Sequence, residues 1–328
     1  MSGDGAAVLA DLRRRGLVHD HTDETALVER LAAGPITVYC GFDPTADSLH
    51  VGNLVPLLTL RRFQRFGHRP VALAGGATGM IGDPSGRSEE RNLLDAETLD
   101  RNLAAISGQL EALLDFDAGA VLVDNREWTS GVGVLDFLRD VGKHVTVNTM
   151  LAKESIRTRL ASEHGLSYTE FSYMLLQAHD FWALHERLGC EMQIGGSDQW
   201  GNITAGIDLI RRKSGARVHG LTVPLVTRSD GQKFGKTAEG AVWLSPRRTL
   251  PYEFHQYFLR VDDADVERFL LQLTFCEVDE VAEVMGRHRE APEKRLAQRR
   301  LADEVTALVH GPAEVARATR AAEVLFGG

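Results

Sequence analysis

The chain has 328 residues, a formal net charge of −9 and 43% hydrophobic residues. These values fit one large or two ordinary soluble domains, and no apolar run reaches the ~18 residues that a membrane helix needs. The acidic balance excludes a protein coated with basic residues, so any contact with nucleic acid must be a local patch or lie on another segment.

The first predicted elements form a βαβ unit. A strand over residues 36–40, ITVYC, precedes the polar loop GFDPTADSLHVGN. An amphipathic helix follows from about Gly52 to Phe66, and a second buried strand covers 70–76, PVALAGG. A strand, a helix and a strand in such close succession imply a parallel pair.

The alternation of strands and helices continues along the chain. The predicted elements are a helix over 96–114, a strand over 120–124, helices through the 130s to 150s, a long helix over 168–188, a strand over 191–196, a helix over 198–213 and the strand LTVPLV over 221–226. This order predicts an α/β fold with a doubly wound, Rossmann-like parallel sheet. Ligands of such sheets bind outside the carboxyl ends of the strands.

From about Pro251 the strand patterns stop, and charged helical segments continue to the end of the chain. Amphipathic periodicity without strands is typical of a helical domain. We therefore expect a Rossmann-like domain over residues 1–227, a loop and linker over 228–250, and a small all-helical domain over 251–328.

The loop after the first strand is a candidate anion site. If its helix begins just after His50, then His50 and Asn53 share the first turn, where Pro56 is tolerated because first-turn N–H groups have no intrahelical partner. These N–H groups and the helix dipole attract an anion such as a triphosphate, and Thr45 and His50 would add donors. The alternative is that Ser48 or His50 is an ordinary helix cap.

A second candidate is the segment RSDGQKFGKT. Lys233 and Lys236 flank Phe-Gly and precede Thr237, and the Asp-Gly pair before them predicts a turn. Lysine is rare in this Arg-rich chain, so two lysines in one Gly-containing loop favour a mobile clamp on a polyphosphate. The alternative is a solvated hairpin.

A polar stripe runs along the long helix. Tyr173, Gln177 and Asp180 are spaced i, i+4 and i+7, so they share one face, whereas their neighbours are apolar. Burying a carboxylate and a carboxamide costs several kcal/mol unless they are paired. Either these side chains satisfy another part of the protein, or they line a polar pocket.

Two further loops follow strand ends. In GGSDQWGN, Asp198 stands where a carboxylate of a parallel sheet accepts a ribose hydroxyl, and the alternative is a plain N-cap. In GDPSGRSEER, Asp83 suits an ammonium group, and Arg87 and Arg91 suit phosphates.

The N-terminus and the cysteines indicate a cytoplasmic location. The opening residues MSGDGAAVLADLRRRG lack the apolar core of a secretory signal, and their acidic residues argue against a transit peptide. Cys40, Cys190 and Cys276 are odd in number and far apart, so we expect reduced thiols without a disulfide framework or a zinc site.

Taken together, these segments resemble a known family. HVGN resembles the HIGH signature, and KFGKT the KMSKS signature, of class I aminoacyl-tRNA synthetases. YCGFDPTADSLHVGN, GGATGMIGDPSG, FSYMLLQAHDF, QIGGSDQWGNI and KFGKT look like the bacterial-type tyrosyl-tRNA synthetases. The resemblance extends from near the N-terminus to Gly328. Tryptophanyl enzymes share the architecture but not these segments.

The resemblance implies a reaction in two steps. The carboxylate of tyrosine attacks the α-phosphate of Mg·ATP, which gives tyrosyl-adenylate and pyrophosphate, and the tyrosyl group then moves to the 3′ end of tRNA(Tyr). ATP is a substrate, and no tightly bound cofactor or metal site of the protein is implied. No general base is needed for the first step, because the carboxylate is already ionised.

The resemblance also implies residue roles. The residues implied at the phosphates and in catalysis are Thr45, His50, Arg87, Arg91, Lys233, Lys236 and Thr237. The residues implied in tyrosine binding are Tyr39 and Asp180 at the phenol, Asp83, Tyr173 and Gln177 at the ammonium, and Gln199 near the reacting carboxylate. The residues implied in ATP binding are Cys40, Gly41, Asp43, His50, Gly52, Asn53, Asp198 on the ribose, and Lys236.

Two positions depart from the family pattern. Asn53 stands where many relatives end the HIGH signature with histidine, and asparagine keeps a donor but cannot carry a charge. Arg87 replaces what is often lysine, which keeps the charge but changes its reach.

The resemblance further implies partners. The segment 125–165 matches the insertion that carries the dimer interface, so we expect a homodimer. The family usually carries a further C-terminal RNA-binding domain of the S4 type, which has no match here. The sequence is then either a shortened form of a longer chain, which we favour, or a natural minimal form, and we expect it to charge tRNA poorly. The tRNA acceptor end would contact Lys153, Arg211 and Arg212.

Two other classes stay open. A nucleotidylyltransferase that uses the same His-containing helix start on another small acid would lack the pair that meets the phenol. Pyrophosphate exchange tested across amino acids would separate it from a tyrosyl enzyme. The other class is a non-catalytic relative such as an RNA-binding or splicing cofactor, against which the intact His50, Lys233 and Lys236 argue.

Overall fold

The computed structural model describes residues 5–85, 93–161, 165–229, 231, 234–237 and 240–326. The chain divides into two compact units. The first unit comprises Met1–Leu9, Val18–Asp47 and Thr59–Leu225. The second unit comprises Ala10–Leu17, Ser48–Leu58 and Val226–Gly328.

The first unit contains a parallel sheet. Its strands in the described residues are β1 (Thr37–Phe42), β2 (Arg69–Ala74), β3 (Val121–Asp124), β4 (Cys190–Gly196) and β5 (His219–Val223). They lie in the order β3-β2-β1-β4-β5, and each neighbouring pair is parallel. The predicted doubly wound α/β fold is therefore confirmed. Because the strand order reverses between β1 and β4, the crevice at their carboxyl ends is the expected ligand site.

Helices of the first unit pack against this sheet, and helices also make up most of the described part of the second unit. The described α-helices are α1 (Ala7–Arg14), α2 (Glu24–Ala32), α3 (Leu54–Arg65), α4 (Ala96–Leu113), α5 (Arg126–Thr129), α6 (Val134–Asp140), α7 (Val147–Leu151), α8 (Glu154–Leu160), α9 (Tyr168–Leu188), α10 (Trp200–Ser214), α11 (Pro251–Leu259), α12 (Asp263–Leu273), α13 (Val278–Glu290), α14 (Leu296–His310) and α15 (Pro312–Phe326). The described elements from Pro251 onward are helical, as predicted. Among these helices, none is long and apolar enough to cross a membrane.

The last predicted strand is displaced. The segment LTVPLV was expected to be extended throughout, but β5 runs over His219–Val223. Pro224 ends the strand because its nitrogen carries no hydrogen to donate to a neighbouring strand. The outer edge of β5 is covered by the N-terminal segment, where the backbone nitrogen of His19 donates to the carbonyl of Thr222 at 2.8 Å.

Local sequence sets the bounds of α9, which agree with the prediction. The hydroxyl of Ser167 accepts from the backbone nitrogen of Glu170 at 3.2 Å and caps the first turn. Gly189 ends the helix with a φ of 61°, in the left-handed region that favours glycine. Along the helix, Phe181 packs against Tyr39 of β1, with ring centroids 5.2 Å apart.

A buried ion pair joins α8 to α9. Arg159 Nη2 lies 2.6 Å from Glu170 Oε2, and the two side chains are 1% and 2% exposed. A charge buried in this way is costly unless its partner is present, so each residue depends on the other. The pair fixes the start of the helix that carries the predicted polar stripe.

Candidate active site

Several residues of the first unit that are predicted to bind a ligand lie at the carboxyl ends of β1 and β4. Tyr39 of β1 pairs in register with Val71 of β2 on one side and with Gln193 of β4 on the other. Asp43 follows the end of β1, and Asp198 follows the end of β4 within a short 3₁₀ turn. The sheet thus brings together side chains that are about 150 residues apart in the chain.

Tyr39 and Asp180 lie in the interior of this site. The Tyr39 hydroxyl is buried and has no hydrogen-bond partner among the described residues. Burial raises the pKa of Tyr39 well above its ordinary value, and the carboxylate of Asp180 raises it further. Leaving a buried hydroxyl unpaired costs about 1–3 kcal/mol, so this group is suited to meet a ligand.

Asp180 is buried but paired. Trp128 Nε1 donates to Oδ1 at 2.8 Å, and Asn125 Nδ2 donates to Oδ2 at 2.9 Å. Burial raises the pKa of Asp180 to about 7, while the two hydrogen bonds lower it. Asn125 and Trp128 are not among the site residues predicted from the sequence. The available signal was that Asn125 directly follows β3, at the same edge of the sheet as Asp43.

Asp43 connects β1 to α9. Its Oδ1 accepts from Thr78 Oγ1 at 2.7 Å, and its Oδ2 accepts from the Tyr173 hydroxyl at 2.8 Å. Burial and then the charge of Asp43 raise the pKa of Tyr173. Gly75 is required beside this pair, because a Cβ built there would lie 2.1 Å from Asp43 Oδ1.

Asp83, Gln177 and Gln199 form a polar cluster. Gln199 Nε2 donates to Asp83 Oδ2 at 2.8 Å, and Gln177 Nε2 donates to Gln199 Oε1 at 3.3 Å. The backbone nitrogen of Ser85 donates to Asp83 Oδ1 at 2.8 Å. The structure therefore brings Asp83 and Gln177 together through Gln199, whereas Tyr173 of the same predicted set donates to Asp43.

The remaining predicted residues of the first unit differ in exposure. Asp198 is exposed and lies inside its 3₁₀ turn, whose N-cap is Gly196, so the interpretation of Asp198 as a plain N-cap is wrong. Gly41 and Thr45 are exposed. The thiol of Cys40 is buried, and burial raises its pKa to about 12.

The predicted anion loop, HVGN, lies in the second unit. His50 is the N-cap of the 3₁₀ turn Val51–Asn53, and its Nδ1 accepts from the backbone nitrogen of Gly52 at 3.0 Å. The side chain of Asn53 accepts from the backbone nitrogen of His50 at 3.0 Å. The interpretation of His50 as a cap is thus confirmed, and its predicted contact with a phosphate stays a prediction.

The KFGKT segment is a hairpin anchored by an aromatic ring. Lys236–Thr237 (β6) pairs with Gly240–Ala241 (β7) in an antiparallel sheet. Phe234 is buried, with its ring centroid 4.2 Å from that of Phe269. The predicted phosphate ligands Arg87, Arg91 and Lys233 lie outside the described residues, as do the side chains of Lys236 and Thr237, so their roles stay predictions.

Comparison with known proteins adds to this geometry. Residues 31–327 match the family model for class I tRNA synthetases (W and Y). The tyrosine–tRNA ligase of Opitutus terrae is 60% identical over 324 residues, which cover 98% of this chain and 76% of that protein. The tyrosine–tRNA ligase of Roseiflexus castenholzii is 57% identical with the same coverage. A C-terminally truncated mitochondrial tyrosyl-tRNA synthetase of Aspergillus nidulans superposes with a TM-score of 0.88 at 31% identity, over 97% of this chain and 94% of that one.

Proposed function

This chain belongs to the class I tRNA synthetases of the W and Y group, and we propose that it is a tyrosine–tRNA ligase that works through the residues at the ends of β1 and β4. It joins tyrosine to ATP as tyrosyl-adenylate with release of pyrophosphate, and it then transfers the tyrosyl group to tRNA(Tyr). The observation that carries the proposal is the buried, unpaired hydroxyl of Tyr39 beside the carboxylate of Asp180. That pair suits a phenol hydroxyl, which can donate to Asp180 and accept from Tyr39.

The amino-acid ammonium is assigned to the polar cluster next to α9. Asp83 supplies a carboxylate, and Gln177 and Tyr173 supply further polar atoms from successive turns of the same helix face. Gln199 stands beside Asp83 and is assigned to the substrate carboxylate. Three separate contacts along one small molecule fix its orientation, which is the main way such a site lowers a barrier.

The chemistry of the first step needs positioning and charge stabilisation. An oxygen of the tyrosine carboxylate forms a bond to the α-phosphorus, and the bond from that phosphorus to the bridging oxygen breaks as pyrophosphate leaves. Negative charge grows on the leaving group, so cations that meet it in the transition state accelerate the step. We assign Lys233, Lys236, Thr237, Arg87 and Arg91 to this task, with ATP entering as its magnesium complex.

The other ATP contacts are assigned by the chemistry of each residue. The exposed carboxylate of Asp198 suits the ribose, and the open backbone at Gly41 allows close approach beside Cys40 and Asp43. Thr45, Gly52 and the capped turn at His50 and Asn53 are assigned to the phosphates.

We also propose a homodimer formed through residues 125–165. Val134, Leu135 and Leu138 of α6 are 75%, 82% and 45% exposed, which is unusual for neighbouring apolar side chains. Sedimentation at micromolar concentration should show a dimer that Leu135→Glu converts to monomer. A parent chain that sediments only as monomer would contradict this assignment.

The cytoplasm is the proposed location. Cys40, Cys190 and Cys276 are all free and buried, as expected for thiols in a reducing compartment. Recovery of the parent chain mainly from the membrane or periplasmic fraction of its host would contradict this proposal.

Exchange of labelled pyrophosphate into ATP tests the activity. Exchange should depend on tyrosine and saturate with it, and phenylalanine at equal concentration should support far less. Exchange that requires a different small acid, with none for tyrosine, would instead favour a nucleotidylyltransferase. Transfer to tRNA(Tyr) should be assayed separately, because adenylate formation does not need it.

A further inference from the structure

A lysine outside the assigned set is tied into the polar cluster. Lys153 lies between α7 and α8, and its Nζ donates to Asn202 Oδ1 of α10 at 3.0 Å. Its stem rests on the helix backbone, since a Cβ built on Gly201 would lie 3.2 Å from Lys153 Cε. Burial lowers the pKa of Lys153 to about 7, against the opposing effect of Asp83. This inward position differs from the expected contact of Lys153 with the tRNA acceptor end.

Hydrogen bonds continue from Lys153 to the proposed substrate site. Asn202 Nδ2 donates to Gln199 Oε1 at 3.1 Å, and Gln199 Nε2 donates to Asp83 Oδ2 at 2.8 Å. Gln177 Nε2 also donates to Gln199 Oε1, at 3.3 Å. Two amides therefore connect an ammonium group to a carboxylate.

Lys153 and Asp83, at the two ends of these hydrogen bonds, determine the orientations of the side-chain amides of Asn202 and Gln199. In its ammonium form, which predominates below its pKa of about 7, Lys153 only donates, so it selects the oxygen of Asn202 and leaves the NH₂ group facing Gln199. An ionised aspartate only accepts, so Asp83 selects the NH₂ group of Gln199. If Asn202 were reversed, its oxygen would face the oxygen of Gln199, and one of the two amides would have to turn.

We propose that Lys153 is a positioning residue that acts through Asn202 and, together with Asp83, holds the amide orientation of Gln199, so that Gln199 presents its NH₂ group to the carboxylate of the amino acid. The inference rests on the proposed function, because it assigns that carboxylate to Gln199. It gives the segment 125–165 a further, indirect part in substrate recognition. With the opposite orientation, the oxygen of Gln199 would face the substrate carboxylate and repel it.

The test replaces Lys153 by a side chain of similar length that cannot donate. Lys153→Met should raise the KM for tyrosine in pyrophosphate exchange about tenfold, the order expected for one charge-assisted hydrogen bond. The KM for ATP should stay within about twofold, since the connected residues face the amino acid. Lys143→Met is the matched control, because Lys143 is an exposed lysine in the same part of the chain, and it should change neither constant.

Two substrate fragments separate positioning from general damage. 3-(4-Hydroxyphenyl)propionate keeps the carboxylate and lacks the ammonium, whereas tyramine keeps the ammonium and lacks the carboxylate. Both compounds should inhibit pyrophosphate exchange. In Lys153→Met, the inhibition constant of the propionate should rise about tenfold, and that of tyramine should rise by less than about twofold. Equal weakening of both would overturn the proposal in favour of a structural role.

A double-variant cycle provides the second measurement. Asn202→Ala should raise the KM for tyrosine, and Lys153→Met added to it should have little further effect, because the connection is already broken. Fully additive effects would overturn the proposal. If the parent chain shows tyrosine-dependent pyrophosphate exchange and Lys153→Met keeps the parental KM for tyrosine, this inference alone is refuted. A parent chain without tyrosine-dependent exchange would refute the proposed function.

Discussion

Trp128 and Asp180 are joined by a buried hydrogen bond, in which the indole Nε1 donates to Oδ1 at 2.8 Å. Asn125 occupies the other carboxylate oxygen in the same way, at 2.9 Å. Because each oxygen of a carboxylate can accept about two hydrogen bonds, this arrangement orients Asp180 and leaves it capacity to accept from a substrate hydroxyl. The specificity proposed for this site therefore depends on residues that do not themselves meet the substrate.

Trp128→Phe should reduce the preference for tyrosine over phenylalanine in pyrophosphate exchange. The substitution keeps an aromatic ring but removes a donor, so the pKa of Asp180 should rise further and its orientation should loosen. We expect a loss of about 1 kcal/mol, or roughly fivefold in the ratio of kcat/KM values. Trp182→Phe is the control. The Trp182 ring contacts the ammonium group of Lys213, whose Nζ lies 4.6 Å from the ring centroid. A similar loss in both variants would argue against a specific role for Trp128.

Tyr39→Phe should separate binding from stability. The Tyr39 hydroxyl is buried without a partner among the described residues, so its removal should leave the free energy of unfolding unchanged or slightly raised. The same change should reduce tyrosine discrimination by about 0.5–1.5 kcal/mol, because the substrate hydroxyl loses a neutral partner. Chemical denaturation measures the free energy of unfolding, and pyrophosphate exchange with tyrosine and with phenylalanine measures the discrimination. A clear loss of stability with unchanged discrimination would show that the hydroxyl is structural.

The raised pKa of Asp180 predicts a pH dependence. With a pKa of about 7, the carboxylate is mostly protonated at pH 6 and mostly ionised at pH 8. Since only the ionised form is a pure acceptor for the phenol, the KM for tyrosine should rise about tenfold from pH 8 to pH 6. In Asp180→Asn, the KM should be higher and should no longer rise as the pH falls from 8 to 6.

The same pKa fixes the sign of the effect on stability. The folded state binds the Asp180 proton more tightly than the unfolded state, whose pKa is the ordinary 3.8. This contribution to the free energy of unfolding is present below about pH 3.8 and is lost as the pH rises through about 7. Asp180→Asn should therefore lose less stability than the parent between pH 5 and pH 8. A parent curve parallel to that of the variant would contradict the assigned pKa.

The sequence predicted the elements better than it predicted their partners. The polar stripe on α9 was predicted because helical periodicity places Tyr173, Gln177 and Asp180 on one face. Periodicity does not reveal what lies opposite that face. Tyr173 meets Asp43, 130 residues away along the chain, and Asp180 meets Trp128, 52 residues away. Such pairs depend on strand order and crossover connections.

The residues missed by sequence analysis share a physical reason. Asn125 follows a strand end and Asn202 lies in the first turn of α10, and both are ordinary polar residues at ordinary places. Lys153 was noticed only as a basic residue, so an outward role was expected, whereas its ammonium is partly buried and donates to Asn202. The error in the predicted bounds of β5 has a different cause. The prediction followed the apolar pattern of LTVPLV and gave too little weight to Pro224, which ends the strand.

Gly235 should be required for the first step of the reaction. Its φ is 81°, and a Cβ built there would lie 2.3 Å from Val51 Cγ2, within the second unit. Gly235→Ala should therefore displace the hairpin that carries Lys236, with kcat for exchange falling tenfold or more and the KM for tyrosine changing by less than about twofold. Gly231→Ala separates the contact from backbone strain. Its φ is also 81°, but no atom of the described residues lies within 4 Å of the built Cβ, so this variant bears only the strain, about 1 kcal/mol. If the two variants slow exchange equally, strain in the loop rather than its fit against Val51 limits the reaction.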